Sequence, residues 1–510
     1  MKRYAMGLAL LGLASPLFAQ NEADALRYSR LQFGGTARSL GAGGANVAVG
    51  ADLGNLVSNP AGLGLFQRSE FSFSPGLGIT NSDARVGNVN GSPQLRDTRN
   101  NFHVANASIA FANRRPDSDN NDWRGGTLAV GFTRVNDFNA SFRYRSTLPD
   151  NRSLFQRFRE PRASLDDIYG QDSVRSYTSL DGLAYGSFLS DFGRVNGRDA
   201  IVTPGPLQRT SATQEELVLT SGSQTQFDIG YGGSYRDKFY IGGAFGILTS
   251  RYNSTSELVE TDETNSSRSF GSLTLRDELR TRGSGFNARL GAIYRPLDWL
   301  RVGASVQSPT FFQLDDEYST ALSAEFRQPI TVGGQSVSSS SVKTEPGRYS
   351  YRLTTPWRAS GGVAAVIGKY GFVSADVETL DYSEARLRNA SDLQDGDTYS
   401  FASENDRISQ IYKRVVNVRL GAEARLDAFR LRAGYASYGD PYRDSRFDRT
   451  QEYYTGGVGF RQRNLSLDLA GVYSTANRVY SPYTLASGAQ PEVKVNTNRL
   501  TTTLTLGLQF

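Results

Sequence analysis

The chain has 510 residues, of which 38% are hydrophobic and 21% are charged, and its net charge at pH 7 is +5. A mean hydropathy of −0.43 is too low for a helical membrane protein, and 28 Phe with 26 Tyr are too many aromatic residues for a disordered chain. The absence of cysteine excludes disulfides, thiolate nucleophiles and cysteine-bound metal centres. The modest charge gives no indication of a nucleic-acid partner.

The first predicted element is a signal peptide over residues 1–19. Lys2 and Arg3 form its basic end, residues 6–13 form its apolar stretch, and Ala19 ends a cleavage site. The apolar stretch is far shorter than the roughly 18 residues that a membrane anchor needs. No later window is apolar enough for a spanning helix, so we expect an exported chain that is either soluble or a transmembrane barrel.

Residues 20–69 form the next unit, which is rich in glycine and shows no strand alternation. The unit is too short to be a separate domain with its own core. Its glycines at 34–50 do not have the G-x-G-x-x-G spacing of a dinucleotide-binding loop, because position 46 is Asn, and no strand precedes them. We therefore expect a closely packed segment in which glycine permits near approach of the backbone.

From Glu70 to Phe510 the sequence alternates between apolar and polar residues in pairs of strands joined by short turns. The turns are predicted at 236–238, 295–299, 368–371, 427–429 and 461–464. Long polar segments lie between the pairs and are predicted to be loops: 80–100, 147–223, 255–267, 315–346, 388–407, 441–450 and 480–495. Short turns on one side and long loops on the other are typical of bacterial outer-membrane barrels, and the count is about fourteen strands.

The third predicted strand has an irregular apolar row. Apolar residues occupy the even-numbered positions on both sides of its middle: Leu128, Val130, Phe132, Phe138, Ala140, Phe142 and Tyr144. The even-numbered positions in the middle are Arg134 and Asn136. An arginine facing lipid at mid-depth costs about 2–4 kcal/mol. Either the strand extends beyond the bilayer at this height, or it bends at Arg134, Asn136 and Asp137 so that these groups face water or residues 20–69. The second possibility would open the barrel wall.

The segment 147–223 has helix-like apolar spacing, and Leu180, Leu183 and Phe188 are its candidate apolar contacts for a ligand. His103 stands alone on a predicted strand. Without a second histidine or a cysteine, a metal site or a Ser-His-Asp triad has little support. We therefore expect no metal, no cofactor and no enzymatic activity.

The last strand has an apolar face formed by Leu504, Leu506, Leu508 and Phe510. Threonines at 501, 503 and 505 occupy the other face. A terminal Phe after strict alternation is typical of the strand by which the barrel assembly machinery recognises outer-membrane barrels for insertion. An edge strand of a soluble sandwich is the alternative, and the other predicted strands disfavour it. The predicted fold is an all-β transmembrane antiparallel barrel over residues 70–510, in the outer membrane of a Gram-negative cell.

Two segments before the first strand carry a family resemblance. The glycine-rich residues 33–45 and the Asn59-Pro60-Ala61-Gly62 motif resemble the N-terminal hatch of the FadL/TodX family of outer-membrane hydrocarbon transporters. Similar segments follow in the family's order at 299–305, 355–358, 374–378 and 417–423. The resemblance implies that residues 20–69 are a plug inside a fourteen-stranded barrel. It also implies passive uptake of a hydrophobic small molecule or lipid, such as a long-chain fatty acid, with lateral exit beside a kinked third strand.

A second function from a different class remains open. The shuttle of type IX secretion also resembles this family, and it is a barrel subunit that binds a partner protein. A lumen with apolar pockets would favour transport, whereas a filled lumen with exposed apolar loops would favour a partner. An outer-membrane esterase or protease has weak support, because His103 has no recognisable nucleophile motif near it.

Overall fold

The computed structural model describes residues 22–116, 118–390 and 399–510, so the predicted signal peptide at 1–19 lies outside the described residues. Within them, fourteen antiparallel strands form one barrel, and a further segment, Gln335–Lys343, folds back as a hairpin on the end of the seventh strand. The strands are β1 (Glu70–Val86), β2 (Leu95–Arg114), β3 (Trp123–Asp137 and Ala140–Pro149), β4 (Ser211–Tyr235), β5 (Phe239–Thr261), β6 (Phe270–Leu297), β7 (Leu300–Gln307 and Phe311–Val332), β8 (Gly347–Thr354 and Arg358–Ile367), β9 (Gly371–Asp381 and Arg386–Asn389), β10 (Arg414–Leu426), β11 (Phe429–Tyr438), β12 (Gln451–Gln462), β13 (Leu465–Tyr480) and β14 (Val493–Gln509).

The barrel closes between its first and last strands. β1 pairs with β14 from Glu70 opposite Gln509 to Val86 opposite Val493, so neither strand leaves an open sheet edge. An even strand number places the start of β1 and the end of β14 on one side of the membrane, which is the periplasmic side in bacterial barrels. The predicted antiparallel barrel of about fourteen strands is confirmed.

The outer surface carries an apolar belt. Leu504, Leu506 and Leu508 of β14 and the following Phe510 are all exposed on it, whereas Thr503 and Thr505 are buried on the inner face. Other members of the belt are Phe71, Leu77, Ile79, Phe227, Ile229, Ile247, Phe286, Leu290, Val377, Leu420, Val458 and Leu467. Exposed apolar residues alternating with inner polar residues are the pattern of a barrel wall in lipid. Among the helices that the structure describes, none has the length and apolarity of a membrane span.

The short turns lie where the sequence predicts them, but two predicted loops are largely strand. Arg236, Asp237 and Lys238 connect β4 to β5, and the first two have positive φ values of 54° and 51°. In contrast, only residues 87–94 separate β1 from β2 within the predicted loop 80–100, and β7 continues to Val332 through the predicted loop 315–346. The alternation is lost there because strands that extend beyond the bilayer contact water on their outer face.

Residues 22–69, called the plug below, fill part of the lumen. They include helices α1 (Glu22–Ser29) and α2 (Ala37–Gly41) and the 3₁₀ helices Leu53–Leu56 and Pro60–Leu65. Backbone groups of the plug bond to inward-facing hydroxyls of the wall: Ala37 N–H donates to Thr505 Oγ1 (2.7 Å), and Ser374 Oγ donates to Ala45 C=O (2.9 Å). The wall approaches closely, since a Cβ at Gly303 would lie 2.3 Å from the carbonyl oxygen of Val47.

Residues 150–210 form a cap at the side of the long loops, which is extracellular in bacterial barrels. The cap contains α3 (Leu154–Arg159), α4 (Leu165–Ser173), α5 (Leu180–Gly186) and the hairpin Asp191–Val195 with Arg198–Val202. A sixth helix, α6 (Ala402–Ile411), belongs to the loop between β9 and β10 and not to the cap. The apolar side chains of the cap pack on the inner faces of β5, β6 and β7. Phe155 of the cap, Phe270 of β6 and Leu322 of β7 are fully buried there. Leu180 and Leu183 belong to this packed core and Phe188 lies against it.

Candidate functional site

β2 and β3 part from each other halfway along their length. Their last ladder pair is Asn106 opposite Thr133. Beyond it, β2 continues to pair with β1 as far as Leu95, and β3 continues to pair with β4 as far as Pro149. The facing edges of β2 and β3 are therefore unpaired above Asn106 and Thr133, and we call this gap the β2–β3 opening.

A β-bulge in each strand lies at the base of this opening. On β2, Ala105 is an extra residue relative to Ser74 and Pro75 of β1. On β3, Val135 is an extra residue, because Arg134 pairs with Thr225 and Asn136 pairs with Gln224. A bulge bends the strand and locally disrupts its ladder, so two bulges at one height turn the neighbouring strands apart.

The bulge at Val135 also reverses which face of β3 points inward. Below it, Leu128 is exposed on the outer face; above it, Phe142 and Tyr144, which have the same parity, are buried on the inner face. The row of equal parity from Leu128 to Tyr144 therefore does not lie on one face of the wall. A one-residue insertion exchanges the two faces of a strand.

Above the bulge β3 runs on the inner side of β2. β3 is interrupted at Phe138 and Asn139, and Arg499 of β14 donates through Nη2 to the carbonyl oxygen of Asn139 (2.8 Å). Thr80 of β1 also reaches this oxygen (3.4 Å). β1 and β2 stand between β14 and β3 in the order of the barrel, so this direct bond requires β3 to bend into the lumen.

The three predicted kink residues all lie at this bend. The Arg134 guanidinium is 3.1 Å from the Asp137 carboxylate, and each side chain is 10% exposed. Asn136 is buried and donates to the plug carbonyl of Arg30 (2.8 Å) and to Gln224 Oε1 (3.1 Å). The charged and amide groups therefore bind one another, the plug and β4, and none of them is left facing lipid unpaired.

One side-chain hydrogen bond crosses the opening among the described residues of upper β2 and β3. Asn101 Nδ2 donates to Asp137 Oδ2 (3.2 Å). Asp137 is also held from the lumen side by Arg499, at 3.6 Å. The opening is thus closed at this height by a single polar contact rather than by a ladder of backbone bonds.

Two adjoining cavities lie behind the opening. The smaller, of about 70 Å³, is lined by His103, Ala105, Arg134, Leu40, Val472 and Thr503 among others. The larger, of about 330 Å³, lies between α1 of the plug, upper β3 and strands β12 to β14. Both cavities are lined by Gln32, Asn136, Asp137, Tyr453, Ser474 and Arg499, so they meet at the bend of β3.

The larger cavity is strongly basic. Its arginines are Arg27, Arg30, Arg449, Arg478 and Arg499, and among its described lining residues Asp137 is the only carboxylate. Arg27 forms a salt bridge with Asp24. The Arg478 guanidinium instead lies over the Phe142 ring, 4.6 Å from its centre. Apolar groups complete the lining, namely Leu26, Phe138, Ala140 and Val479. The cavity thus offers both positive charge and apolar surface.

The lower plug is fixed by the Asn59-Pro60-Ala61-Gly62 motif. Asn59 is fully buried and donates through Nδ2 to the carbonyl oxygens of Val47 (2.7 Å) and Ala292 (3.2 Å), while its Oδ1 accepts from Ala61 N–H (3.1 Å). Pro60 begins the 3₁₀ helix that Asn59 caps. A Cβ at Gly291 would lie 1.8 Å from Asn59 Oδ1, so this wall position must be glycine for the motif to fit.

Ion pairs surround the plug at the same depth. Glu378 of β9 bridges Arg358 (3.3 Å) and Arg419 (3.0 Å), while Arg289 of β6 donates to the plug carbonyl of Leu56 (2.5 Å). A polar network in which buried charges are paired rigidifies its surroundings. These paired charges and the plug enclose a cavity of about 60 Å³, lined among others by Arg289, Arg358, Glu378 and Arg419. Among the described residues, no group of three or more His, Cys, Asp and Glu is placed to hold a metal ion.

Comparisons with known proteins agree with this architecture. No family model matches the chain, and no curated protein matches it either. Among solved structures, the P. putida toluene transporter TodX aligns with a TM-score of 0.50 and 14% identity, over 94% of this chain and 99% of TodX. The chain resembles the FadL/TodX barrels. TbuX, a toluene transporter of Ralstonia pickettii, aligns with a TM-score of 0.48 and 15% identity, over 94% of this chain and 99% of TbuX. A Pseudomonas aeruginosa FadL homologue aligns with a TM-score of 0.48 and 12% identity, over 94% of this chain and 98% of its own.

Several site residues of this FadL/TodX-like barrel escape prediction from sequence. Arg478 and Arg499 lie on the last two strands, far along the chain from the third strand whose bend they adjoin. Ala105 and Val135 are ordinary strand residues, and nothing in their type marks a bulge. The one available signal is Pro75, because a proline within a strand is confined to edges and bulges.

Proposed function

We propose that the chain is a passive outer-membrane channel for amphiphilic hydrophobic compounds of the long-chain fatty acid type, which leave the lumen through the β2–β3 opening. The observation that carries the proposal is the pair of adjoining cavities that ends at this opening. A ligand that entered the larger cavity from the cap side would meet unpaired strand edges at the smaller one. Lateral exit of this kind delivers an apolar molecule to the membrane without passing it through water.

The basic lining supports a ligand with an acidic head. Burial of a hydrocarbon chain contributes about 0.8 kcal/mol per methylene, and this term is the same for neutral and acidic ligands. A carboxylate also neutralises arginine charge within a partly buried site, where Coulomb attraction exceeds that in bulk water. The guanidinium groups of Arg30, Arg449 and Arg478 form no ion pair with a carboxylate among the described residues, so an acidic amphiphile fits this cavity better than a neutral hydrocarbon.

The bend of β3 supports the lateral route. Backbone away from regular pairing is tolerated at membrane depth only where protein or water covers it. At the opening, the side chains of Asn101, Arg134 and Asp137 cover the unpaired backbone, and no neighbouring strand does. Side chains can move aside, whereas a paired strand cannot. The free-energy barrier to rearranging three side chains is small compared with the barrier to breaking a ladder of backbone hydrogen bonds.

Deletion of Val135 tests the proposal. Removing the extra residue gives β3 a continuous register with β4, so β3 should straighten towards β2 and uptake of a fluorescent long-chain fatty acid should fall more than tenfold. The matched control is Val135→Ala, which keeps the bulge and loses only the side chain; its uptake should stay near that of the wild type. Heat-modifiability on gels checks that each variant forms a barrel.

The double variant Arg134→Val, Asn136→Val should act in the same direction, because it removes the polar groups that hold the bend. Wild-type uptake in a well-assembled deletion variant would contradict the lateral exit. It would favour the alternative of a partner-binding barrel, for which the exposed Tyr169 and Val174 of the cap would be the first surface to test.

A further inference from the structure

The outer wall of β5 and β6 changes character abruptly at its extracellular end. Ile247 and Phe286 stand opposite each other and are the last exposed apolar pair of the belt on these strands. The next outward pair is Thr249 with Ser284. Beyond it the outward pair is Arg251 with Arg282, and Arg280 follows opposite Asn253. We call Arg251, Arg280 and Arg282 the arginine patch.

The patch places two like charges directly opposite each other. Arg251 and Arg282 occupy one cross-strand pair, and both are exposed. Like charges in this position destabilise a strand pair unless an anion lies between or above them. On its other side Arg282 stands opposite Asp315 of β7, so the two arginines share one facing carboxylate, and a bound anion would relieve the remaining repulsion.

Nearby carboxylates are engaged elsewhere. Glu257 and Glu278 both pair with Arg276, at 3.2 Å and 2.9 Å, and Glu278 is 4.0 Å from Arg280. On β7, the Asp315 carboxylate accepts a hydrogen bond from Ser350, and Glu317 lies 3.6 Å from Arg348. Among the described residues, neither Arg251 nor Arg282 has an ion-pair partner.

The height of the patch matches the polar layer of the membrane. Four residues of strand at about 3.4 Å each, tilted by about 40°, rise roughly 10 Å from Phe286 to Arg282. The headgroup layer extends about 5–8 Å beyond the hydrocarbon core on each side. The arginines therefore stand at the outer edge of the headgroup layer, above the Ile247 and Phe286 side chains that contact acyl chains.

The opposite wall lacks this feature. On β13 and β14 the last outward apolar pair is Tyr473 with Leu500, and the next two outward pairs are Thr475 with Asn498 and Asn477 with Asn496. At the same two positions the wall of β5 and β6 has a hydroxyl pair and then the two arginines. A facing pair of arginines is thus absent from β13 and β14 at this height.

We propose that the arginine patch binds the phosphate of a phosphorylated glycolipid of the outer leaflet, with the acyl chains of that lipid on Ile247 and Phe286. The guanidinium groups are suited to this partner because they donate bidentate hydrogen bonds to phosphate. Arg276, Arg280 and Arg282 line, together with Glu278, a groove of about 470 Å³ beside the patch, which provides room for a sugar headgroup. The site lies on the outside of the wall and does not depend on the proposed transport route.

Native mass spectrometry of the purified barrel tests the proposal. The probe is lipopolysaccharide added to detergent-solubilised protein, and the comparison is the same lipid after enzymatic removal of its phosphates. We expect wild-type protein to retain the phosphorylated lipid, and to retain at least tenfold less of the dephosphorylated lipid. The variant Arg251→Gln, Arg282→Gln should show the same loss with the phosphorylated lipid.

The control variant is Arg96→Gln, which removes an exposed arginine of β2 that is already paired with Asp83 at 2.9 Å; its retention should equal that of the wild type. Inorganic phosphate at millimolar concentration should not displace the lipid, and displacement would mark a site for free phosphate instead. Equal retention of the dephosphorylated lipid by wild-type protein would overturn the proposal without any substitution. Unchanged retention in the double variant would overturn it as well.

Discussion

β3 is interrupted within the membrane wall, and so are β7 and β8, but the consequences differ. β7 breaks at Ser308-Pro309-Thr310 and β8 breaks at Thr355-Pro356-Trp357, where proline removes a backbone donor. β3 breaks at Phe138 and Asn139 without a proline. Proline is the stronger strand breaker by itself, yet the wall stays closed at β7 and β8 and parts at β3.

Side-chain hydroxyls account for the closed wall. Thr310 N–H donates to Thr355 Oγ1 (2.8 Å), Thr355 N–H donates to the carbonyl oxygen of Thr310 (3.1 Å), and Asn287 Nδ2 donates to Thr310 Oγ1 (2.9 Å). These bonds replace the ladder bonds that the prolines remove. Between upper β2 and upper β3, among the residues that the structure describes, the contact of Asn101 with Asp137 is the only such replacement above Asn106. An interruption opens a barrel only where neighbouring strands supply no substitute donors.

Filling the smaller cavity should have the largest effect on function. Ala105 is buried and lines the cavity of about 70 Å³, so Ala105→Trp should occupy that space and reduce uptake of fluorescent fatty acid more than tenfold. Ala107→Trp is the matched control, because Ala107 lies two residues further on the outer face below the bulge. Normal uptake by a well-folded Ala105→Trp barrel would show that the ligand does not pass this cavity.

Loosening the lower plug should have the next largest effect. Asn59→Ala leaves three buried backbone groups without their partner, and each unmade bond costs about 1–3 kcal/mol. We expect several-fold faster leakage of a small polar dye from vesicles and earlier protease cleavage within residues 22–69. Asn498→Ala, on the outer wall, should change neither. Protease resistance equal to that of the wild type would contradict a capping role for Asn59.

Removing a hydroxyl at β8 should weaken the closed wall without affecting transport. Thr355→Val leaves Thr310 N–H unpaired, for a loss of about 1 kcal/mol in the free energy of unfolding. The change is measured as a lower denaturant midpoint in detergent, with Thr249→Val, an exposed outer threonine, as control. Uptake should remain at the wild-type rate, and a raised rate would show that a second exit can form at β7 and β8.

The smallest effect is expected at the contact that crosses the opening. Asn101→Ala removes its hydrogen bond to Asp137, and a net contribution of about 0.5 kcal/mol corresponds to roughly a twofold rise in uptake. Asn100→Ala, with its side chain on the outer face, is the control. A fall in uptake would mean that Asn101 guides the ligand rather than holding the opening closed.

Local patterns were sufficient to predict the architecture. Period-2 alternation, short turns such as 236–238 and the terminal row from Leu504 to Phe510 depend only on neighbouring residues, and they determine strand number, closure and the lipid face. The polar extensions of β1, β2 and β7 were predicted as loops. Beyond the bilayer a strand needs no apolar face, so the alternation that identifies it disappears.

The site itself was decided by tertiary structure. The residues Arg134, Asn136 and Asp137 were recognisable as an irregularity in an apolar row, but two explanations of it remained. The bulges at Ala105 and Val135 depend on register with β1 and β4, and the cavity behind them is completed by Arg478 and Arg499 from the other end of the chain. One inserted residue exchanges the faces of a strand, and no local property of valine or alanine encodes that insertion, because it is defined only relative to the neighbouring strands.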